Sequence, residues 1–294
     1  SEDASKPPVW LPELDELERR RRFAEGLGGP EAVARHQEGG RHTVRGRIER
    51  LVDSGSFQEV GKLAGRGEYD DRNRLVKVTP APYVMGLAAI DGRSVAVGGE
   101  DFTVRGGTGG TGERRKGGQG GFVEDLALQY RIPLVNFCDG AGGSVASARR
   151  RGYTVFPGVD GFETSVALLG QAPVVCAVTG SAAGGPAGRA ILSHWSVMVA
   201  GTSQVFAAGP PVVERSLGQK LTKEELGGSR VAVDSAGTIH DVAKSEDECI
   251  AMIRRFLSYM PQNVWQLPPM GPRDDPPARA DDALASIVPR NRRH

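Results

Sequence analysis

Residues 173–190 read PVVCAVTGSAAGGPAGRA, an apolar run of strand length that passes directly into a stretch of small residues. The run PVVCAVT (173–179) is short and rich in valine, which is typical of a strand buried on both faces of a sheet. The stretch GSAAGGPAGRA (180–190) holds four glycines and four alanines, more than a turn requires. Small residues let a bare backbone come close to another group, so this stretch is a candidate binding site.

The surrounding sequence repeats this arrangement, because short apolar stretches that end in glycine alternate with helical patterns. The predicted strands are YVMGLAAIDG (83–92), RSVAVGGEDF (93–102), IPLVNFCDG (132–140) and APVVCAVTG (172–180). The predicted helices between the later strands are GFVEDLALQYR (121–131) and FETSVALLGQ (162–171), and a further helical segment follows residue 180. Such alternation predicts a layered α/β domain, in which ligands bind beyond the carboxyl ends of the strands.

Both ends of the chain differ from this central pattern. Residues 11–38 predict a surface helix, a break at GLGGP and a second short helix. A helix is then predicted from near Thr43 to the stop signal at Asp53, and CIAMIRRFLSYMP (249–261) predicts an amphipathic helix. The sequence from residue 267 is rich in proline and charge, which is typical of a linker. The predicted organisation is a helical extension (1–40), an α/β domain (41–266) and a tail leading toward a second domain (267–294).

The composition argues against several classes of protein. Lysine and arginine total 37 against 36 aspartates and glutamates, and this balance gives no indication of binding to nucleic acid or an anionic membrane. No apolar run reaches the length of a bilayer span, and the first ten residues lack the pattern of a signal peptide. Cys138, Cys176 and Cys249 are scattered without a CxxC pair, which argues against a zinc ribbon and a disulfide framework. We expect a cytoplasmic protein that binds no metal.

A second glycine-rich segment, EDFTVRGGTGGTGERRKGGQGG (100–121), carries basic residues among its glycines. It lacks the phosphate-loop pattern GxxxxGK[ST], because Lys116 is followed by Gly117. Two interpretations stay open at this point. The segment is either a flexible loop whose basic residues face water, or a loop whose Arg114, Arg115 and Lys116 contact the phosphates of a ligand.

A third glycine-rich segment, CDGAGGS (138–144), has the same setting as residues 180–190: each follows a buried strand and precedes a predicted helix. The N–H groups at the start of a helix are unpaired, and missing side chains let a ligand oxygen approach them. Two such turns on neighbouring strands predict an oxyanion hole, a pair of donors worth about 2.7–4 kcal/mol each. The alternative is that the small residues only allow a helix to pack closely on a strand.

Side chains for acid–base catalysis are sparse. His194 is most simply a packed or capping residue, and Asp139 is predicted to cap the turn after its strand rather than to transfer a proton. Ser144 lies outside a G-x-S-x-G elbow, so no nucleophilic triad can be assembled. The sequence therefore offers oxyanion donors without a protein base, a combination that suits a proton acceptor supplied by a cofactor or by the substrate.

Taken together, several motifs resemble the carboxyltransferase subunits of biotin-dependent acyl-CoA carboxylases. The motifs are RHTVRGRIERLVDSGSFQEV, EDFTVRGGTGG, IPLVNFCDGAGG, PVVCAVTGSAAGGPAG, VMVAGTSQVFAAGPPVV and LTKEELGGSRVAVDSAGTIHDVAKSEDECIAMIRRFLSYMPQN. The resemblance covers roughly residues 15–290. It implies a crotonase-like ββα superhelix, binding of an acyl-CoA, and transfer of a carboxyl group from carboxybiotin to the acyl α-carbon.

The resemblance also implies roles for particular residues. The thioester oxygen, as it becomes an enolate, is expected at Gly184 and Gly185. The companion turn supplies Gly142 and Gly143 as donors, and Ala141 and Ala183 lie beside the substrate. Arg114, Arg115 and Lys116 lie where the phosphates of CoA could be met. The family's Asp-Ser-Gly-Gly-Ala-Arg pattern is replaced here by DGAGGSVASARRRG, which predicts an altered substrate preference.

Members of this family are about twice as long, and their second half holds biotin. The implied partners are a C-domain carboxyltransferase polypeptide, or the rest of a longer chain, together with a biotin carboxylase and a biotin carboxyl carrier protein in a hetero-oligomer. Two alternatives stay open. The chain could be a stand-alone crotonase-type decarboxylase, isomerase or hydratase that uses His194 or Asp139, or it could be a non-catalytic subunit that stabilises a paralogue.

Overall fold

The structure is a computed structural model, and it describes residues 9–108, 123–143, 152, 160–272 and 274–291 of the chain. The α-helices are α1 (Leu11–Glu25), α2 (Pro30–Glu38), α3 (Val44–Leu51), α4 (Val123–Tyr130), α5 (Asp160–Leu169), α6 (Gly185–Ile191), α7 (Pro210–Leu217), α8 (Lys223–Gly227) and α9 (Glu246–Tyr259). The strands are β1 (Gln58–Glu59), β2 (Gly65–Tyr69), β3 (Leu75–Pro80), β4 (Tyr83–Ile90), β5 (Arg93–Glu100), β6 (Leu134–Cys138), β7 (Val174–Val178), β8 (Ser181–Ala183), β9 (Trp195–Val199), β10 (Gln204–Phe206) and β11 (Asp241–Ala243).

Seven strands form the main sheet, in the order β1–β4–β5–β6–β7–β9–β11. The hairpin of β4 and β5 is antiparallel, and the strands from β5 onward pair in parallel. Because β5, β6 and β7 run in the same direction, the segments that follow them emerge at the same edge of the sheet. A small parallel sheet of β8 and β10 continues beyond that edge, and β2 pairs with β3 as a separate antiparallel hairpin.

The alternation of side chains along the central strands builds two apolar layers, one on each face of the sheet. In β6, Val135 and Phe137 join the cluster on which α3 and α9 pack, whereas Leu134 and Cys138 join the cluster on the face of α4 and α5. Every residue of β6 and β7 is buried, which is why these strands read as continuous apolar runs in the sequence.

Local signals define the helices that frame the site. The Thr43 hydroxyl accepts the Gly46 N–H at 3.2 Å and caps α3, as the sequence predicts. Ser245 caps α9 in the same way, through the N–H of Glu248. The predicted break between the first two helices is also confirmed, because α1 ends at Glu25 and α2 begins at Pro30.

Some parts of the fold differ from the sequence prediction. A helical segment was expected directly after residue 180, but residues 181–183 form β8, in register with residues 204–206 of β10, and the helix begins at Gly185. The β2–β3 hairpin was not predicted, because β2 is exposed along its whole length and has no apolar face to reveal it. Among the described helices, none is long and apolar enough to cross a membrane.

Candidate functional site

Three glycine-containing segments meet beyond the carboxyl edge of the sheet. In chain order, the first (101–108) follows β5, the second (139–143) follows β6, and the third (184–185) follows β8 and begins α6. The N–H of Ala141 donates to the carbonyl of Gly106 at 2.9 Å, which joins the second segment to the first. The N–H of Ala183 donates to the carbonyl of Gly140, also at 2.9 Å, which joins the third segment to the second. The two turns that the sequence singled out are therefore hydrogen-bonded neighbours.

The contact between these two turns leaves no room for a side chain at Gly142. A Cβ at this residue would lie 2.5 Å from the carbonyl oxygen of Ala183, and the φ of Gly142 is +73°. Both the contact and the left-handed backbone require glycine. On the solvent side the neighbouring Gly143 is exposed, with open space beside its Cα. The turn is thus pressed against the third segment on one side and accessible on the other.

Gly184 and Gly185 differ in what their N–H groups do. The N–H of Gly184 donates to the carbonyl of Phe206 at 3.3 Å, across the small sheet. Gly184 itself, at φ +61° and ψ −116°, turns the chain into α6. Gly185 is the first residue of α6, so its N–H has no acceptor within the helix, and it is exposed beside open space. Of the two predicted donors, Gly185 is the one whose N–H is available in this structure.

Behind the glycine turns lies a buried ionic cluster centred on Arg47 of α3. Its Nη1 donates to Asp139 Oδ2 at 2.9 Å, and its Nε and Nη2 donate to the two carboxylate oxygens of Glu246 at 2.9 and 2.8 Å. Burial alone would lower the pKa of Arg47, but the two adjoining carboxylates outweigh it and raise that pKa, so the guanidinium stays charged. Asp139 was predicted to cap its turn, and it pairs with Arg47 instead.

A second buried cluster fixes α6 from its other end. Arg189 pairs with Glu100 at the end of β5 and lies 3.4 Å from Glu124 of α4. The other carboxylate oxygen of Glu100 accepts the backbone N–H of Asp139 at 3.1 Å, so the cluster also contacts the second glycine segment. Burial raises the pKa of Glu100 and of Glu124, and the charge of Arg189 opposes that rise in both cases. The helix that presents Gly185 is therefore anchored to β5 and α4.

His194 lies at the opposite edge of the sheet from the glycine turns. Its Nδ1 accepts the N–H of Val174, the first residue of β7, at 3.0 Å, whereas the turns follow the carboxyl ends of the strands. Burial lowers the pKa of the His194 ring. Although part of its ring is desolvated, His194 is an exposed residue that accepts a backbone N–H, which fits the capping interpretation rather than the packed one; neither His194 nor the paired Asp139 is placed as a free base.

Other predictions fall outside the residues that the structure describes. The candidate phosphate ligands Arg114, Arg115 and Lys116 and the serine at 144 belong to this group. In the described part of the chain, no group of three or more His, Cys, Asp or Glu side chains is arranged to hold a metal ion. The expectation that the chain binds no metal stays a prediction.

Sequence reasoning missed the side chains that support the turns. Arg47 could have been found, because it shares helical spacing with the apolar residues Val44, Ile48 and Leu51 and so lies on the buried face of α3. A buried arginine needs acidic partners. Which acids pair with it could not be read from spacing, since Glu246 is 199 residues away.

Comparisons with known proteins agree with this architecture. Residues 35–294 match the carboxyl transferase domain family. The chain is 31% identical to the carboxyltransferase subunit of propionyl-CoA carboxylase from Haloferax mediterranei, over 94% of this chain and 52% of that protein. It is 32% identical to the alpha subunit of methylmalonyl-CoA decarboxylase from Veillonella parvula, over 90% of this chain and 51% of that protein. The chain thus spans about half the length of these curated relatives.

Among solved structures, the transcarboxylase 12S hexamer with bound methylmalonyl-CoA superimposes with a TM-score of 0.76. The alignment has 26% identity and covers 96% of this chain and 54% of that chain. The neighbours are carboxyltransferases of the crotonase fold, which confirms the fold class expected from the sequence. The family match over most of the chain, two relatives above 30% identity and the shared fold lead to one conclusion: this chain belongs to the carboxyl transferase family, which includes the carboxyltransferase subunits of biotin-dependent acyl-CoA carboxylases.

Proposed function

We propose that this chain supplies the acyl-CoA half of a carboxyltransferase site. The thioester oxygen of the substrate accepts the N–H of Gly185, and the turn of Gly142 and Gly143 closes the other side of the same oxyanion hole. The observation that supports this most directly is the contact between the two turns, with the exposed Gly185 beside it. Ala141, within the turn at 140–143, and Ala183, just before the turn at 184–185, lie beside the acyl group. Arg114, Arg115 and Lys116 contact the phosphates of CoA.

The chemistry follows from where negative charge develops. Loss of a proton from the acyl α-carbon moves charge onto the thioester oxygen, and a fixed N–H donor stabilises that charge more than it stabilises the neutral carbonyl. Gly184 contributes by its conformation, because its positive φ leads the chain into α6 at Gly185, while its own N–H is held by the carbonyl of Phe206. Arg189 and Glu100 keep α6 from shifting when the charge forms.

The carboxyl group itself comes from carboxybiotin, which the resemblance assigns to a carrier protein and to a second half-site. The donors proposed at Gly185 and Gly143 are uncharged, which suits a thioester oxygen, so the chemistry assigned to this chain is limited to the acyl-CoA. We propose that a C-domain carboxyltransferase partner completes the site within a hetero-oligomer that also includes a biotin carboxylase and a biotin carboxyl carrier protein. Relatives of about twice this length support that arrangement.

The stand-alone alternative would need an acid or base at the glycine turns. His194 is on the far edge of the sheet, and the carboxylate of Asp139 is buried against Arg47. These positions favour the carboxyltransferase proposal, in which the chain provides donors and placement while the proton acceptor comes from elsewhere.

The test removes the backbone N–H of Gly185 with proline, whose ring carbon takes the place of the N–H hydrogen. Gly185→Pro deletes the N–H at the first position of α6, where proline is tolerated, and the preceding Gly184 has no Cβ to collide with the ring. In the complex assembled with its C-domain partner and carboxylated carrier, we expect the rate of acyl-CoA carboxylation to fall by about 10²-fold.

Gly185→Ala is the matched control. It keeps the N–H and adds one methyl group, so it measures the effect of added bulk alone, and we expect Gly185→Pro to be slower than Gly185→Ala. Equal rates for Gly185→Pro and the parent would reject Gly185 as a donor. If the parent complex bound no acyl-CoA and formed no carboxyacyl-CoA, the proposed function itself would be wrong.

A further inference from the structure

Strand β6, which leads into the turn at 140–143, and strand β7, which leads through β8 to the turn at 184–185, both end beside the side chain of Arg47. Asp139 lies between β6 and the turn at 140–143, and Thr179 lies between β7 and Gly180. Arg47 Nη1 donates to Asp139 Oδ2 at 2.9 Å, and Nη2 donates to the Thr179 carbonyl at 3.3 Å. One guanidinium therefore contacts both entry points of the site.

The third side of the same guanidinium is held by Glu246 at the first position of α9. Nε and Nη2 of Arg47 donate to its two carboxylate oxygens, and one of those oxygens also accepts the His42 N–H at 3.2 Å. Every guanidinium nitrogen of Arg47 thus has a partner, and the side chain is 1% exposed. A planar fork with fixed donor directions can hold three groups at fixed spacing, which a single ammonium group cannot do.

The surroundings leave this arrangement little freedom. A Cβ at Gly180 would lie 1.9 Å from Asp139 Oδ1, so the carboxylate occupies the space where a side chain would otherwise be. The backbone of Asp139 is fixed separately, because its N–H donates to Glu100 and its carbonyl packs against Gly107. Arg47 thus joins Asp139 to Thr179 at the start of both glycine segments, in addition to the direct hydrogen bond from Ala183 to Gly140.

We propose that Arg47 is a positioning residue for the oxyanion hole: by joining Asp139 to Thr179 it sets the distance between the turn at 140–143 and the turn at 184–185. The inference rests on the proposed function, since it assigns a purpose to the geometry of that site. Arg47 touches no substrate. It acts by placing the N–H donors where the thioester oxygen becomes negatively charged, and small errors in such placement lower rates strongly.

The principal variant is Arg47→Lys, which keeps the positive charge and loses the fork. In the assembled complex we expect kcat to fall by about 10-fold to 100-fold while KM for the acyl-CoA changes by less than about threefold, because the donors are displaced rather than the binding surface. The second readout is the infrared carbonyl stretch of bound acyl-CoA labelled with ¹³C at the thioester carbon. We expect Arg47→Lys to lose most of the downward shift that the parent produces.

Arg45→Lys is the matched control on the same helix. Arg45 forms a two-bond pair with Glu59 of β1, at 2.8 and 2.9 Å, that touches neither turn. We expect this variant to keep both kcat and the carbonyl shift. If Arg47→Lys does not fold, Glu246→Gln replaces it, because this change weakens the third side of Arg47 without altering either turn, and a smaller loss of kcat and of the shift is expected.

The outcomes distinguish the proposed oxyanion hole from the proposed role of Arg47. A parent complex that binds acyl-CoA without any carbonyl shift would contradict the proposed oxyanion hole, whatever Arg47 does. A parent with a clear shift, together with Arg47→Lys or Glu246→Gln variants that keep the full shift and kcat, would overturn the role of Arg47 alone. Equal losses in Arg47→Lys and Arg45→Lys would also overturn it, because they would reflect a general weakening of α3.

Discussion

At Gly180, the space that a side chain would fill is taken by the carboxylate of Asp139. Both residues are buried, and the carboxylate is held there by Arg47. A buried charge that loses its closest partner is strongly destabilising, and the other guanidinium near Asp139, that of Arg41, lies farther away, at 3.7 Å from Oδ1. The absence of one methyl group at Gly180 is therefore a condition for keeping Asp139 paired.

Gly180→Ala tests this at the residue scale. The added methyl group would push the Asp139 carboxylate away from Arg47, and we expect the free energy of unfolding to fall by about 3 kcal/mol. Chemical denaturation with a constant m-value would measure the change. The control is Gly170→Ala, where the nearest atom to the new Cβ is 3.6 Å away and little change is expected. Similar stabilities for the two variants would contradict the argument.

His36 of α2 gives a prediction about pH. Its ring is buried, Nε2 lies 3.0 Å from the carbonyl of His42, and burial followed by the charge of Arg41 lowers its pKa from the ordinary 6.5. The folded protein therefore holds fewer protons at this site than the unfolded chain. The stabilisation from the neutral ring is complete above pH 6.5 and is lost as the pH falls from 6.5 through the folded-state pKa.

His36→Gln should flatten this part of the pH dependence. Denaturation midpoints measured from pH 8 to pH 5 should decline less steeply below pH 6.5 in the variant than in the parent. An unchanged slope would show that the burial of His36 does not contribute to the loss of stability in acid.

Among the elements, the β4–β5 hairpin depends on a residue outside it. Asp53, just beyond the end of α3, accepts the N–H groups of Asp91 and Gly92 at 2.9 and 2.8 Å. These two residues form the turn of the hairpin, with φ of +51° and +76°. Asp53 thereby joins the helix that carries Arg47 to the strand that leads into the first glycine segment.

Asp53→Asn should weaken this link in a pH-dependent way. Hydrogen bonds from Gly92 and Asp91 lower the pKa of Asp53 below the ordinary 3.8, so its contribution to stability is present above pH 3.8 and is lost as the pH falls through the lowered pKa. We expect the variant to have a lower denaturation midpoint at pH 7, with the difference shrinking below pH 3.8. The control, Asp71→Asn in the β2–β3 turn, removes the same charge from another exposed turn. A difference that persists unchanged into acid would contradict the assignment.

For the molecule as a whole, the strands of the central sheet could be predicted from the sequence, but the contacts between segments distant in sequence could not. Strands β6 and β7 were found because residues buried on both faces leave an unbroken run, and β4 and β5 were found because most of their residues are buried as well. The two turns were found because glycine accumulates there. The engagement of the Gly184 N–H by Phe206 and the pairing of Arg47 with Glu246 depend on segments distant in sequence, and periodicity carries no information about such partners.

The sequence separation of 199 between Arg47 and Glu246 has a consequence for the order in which the protein assembles. A chain emerging from the ribosome completes α3 and both glycine turns well before α9 exists. Until α9 docks, the charged side chain of Arg47 lacks the two hydrogen bonds to Glu246, and contacts of this sequence separation form slowly. Any shortened version designed around the glycine turns must therefore extend through α9, although that helix lies far along the chain from both of them.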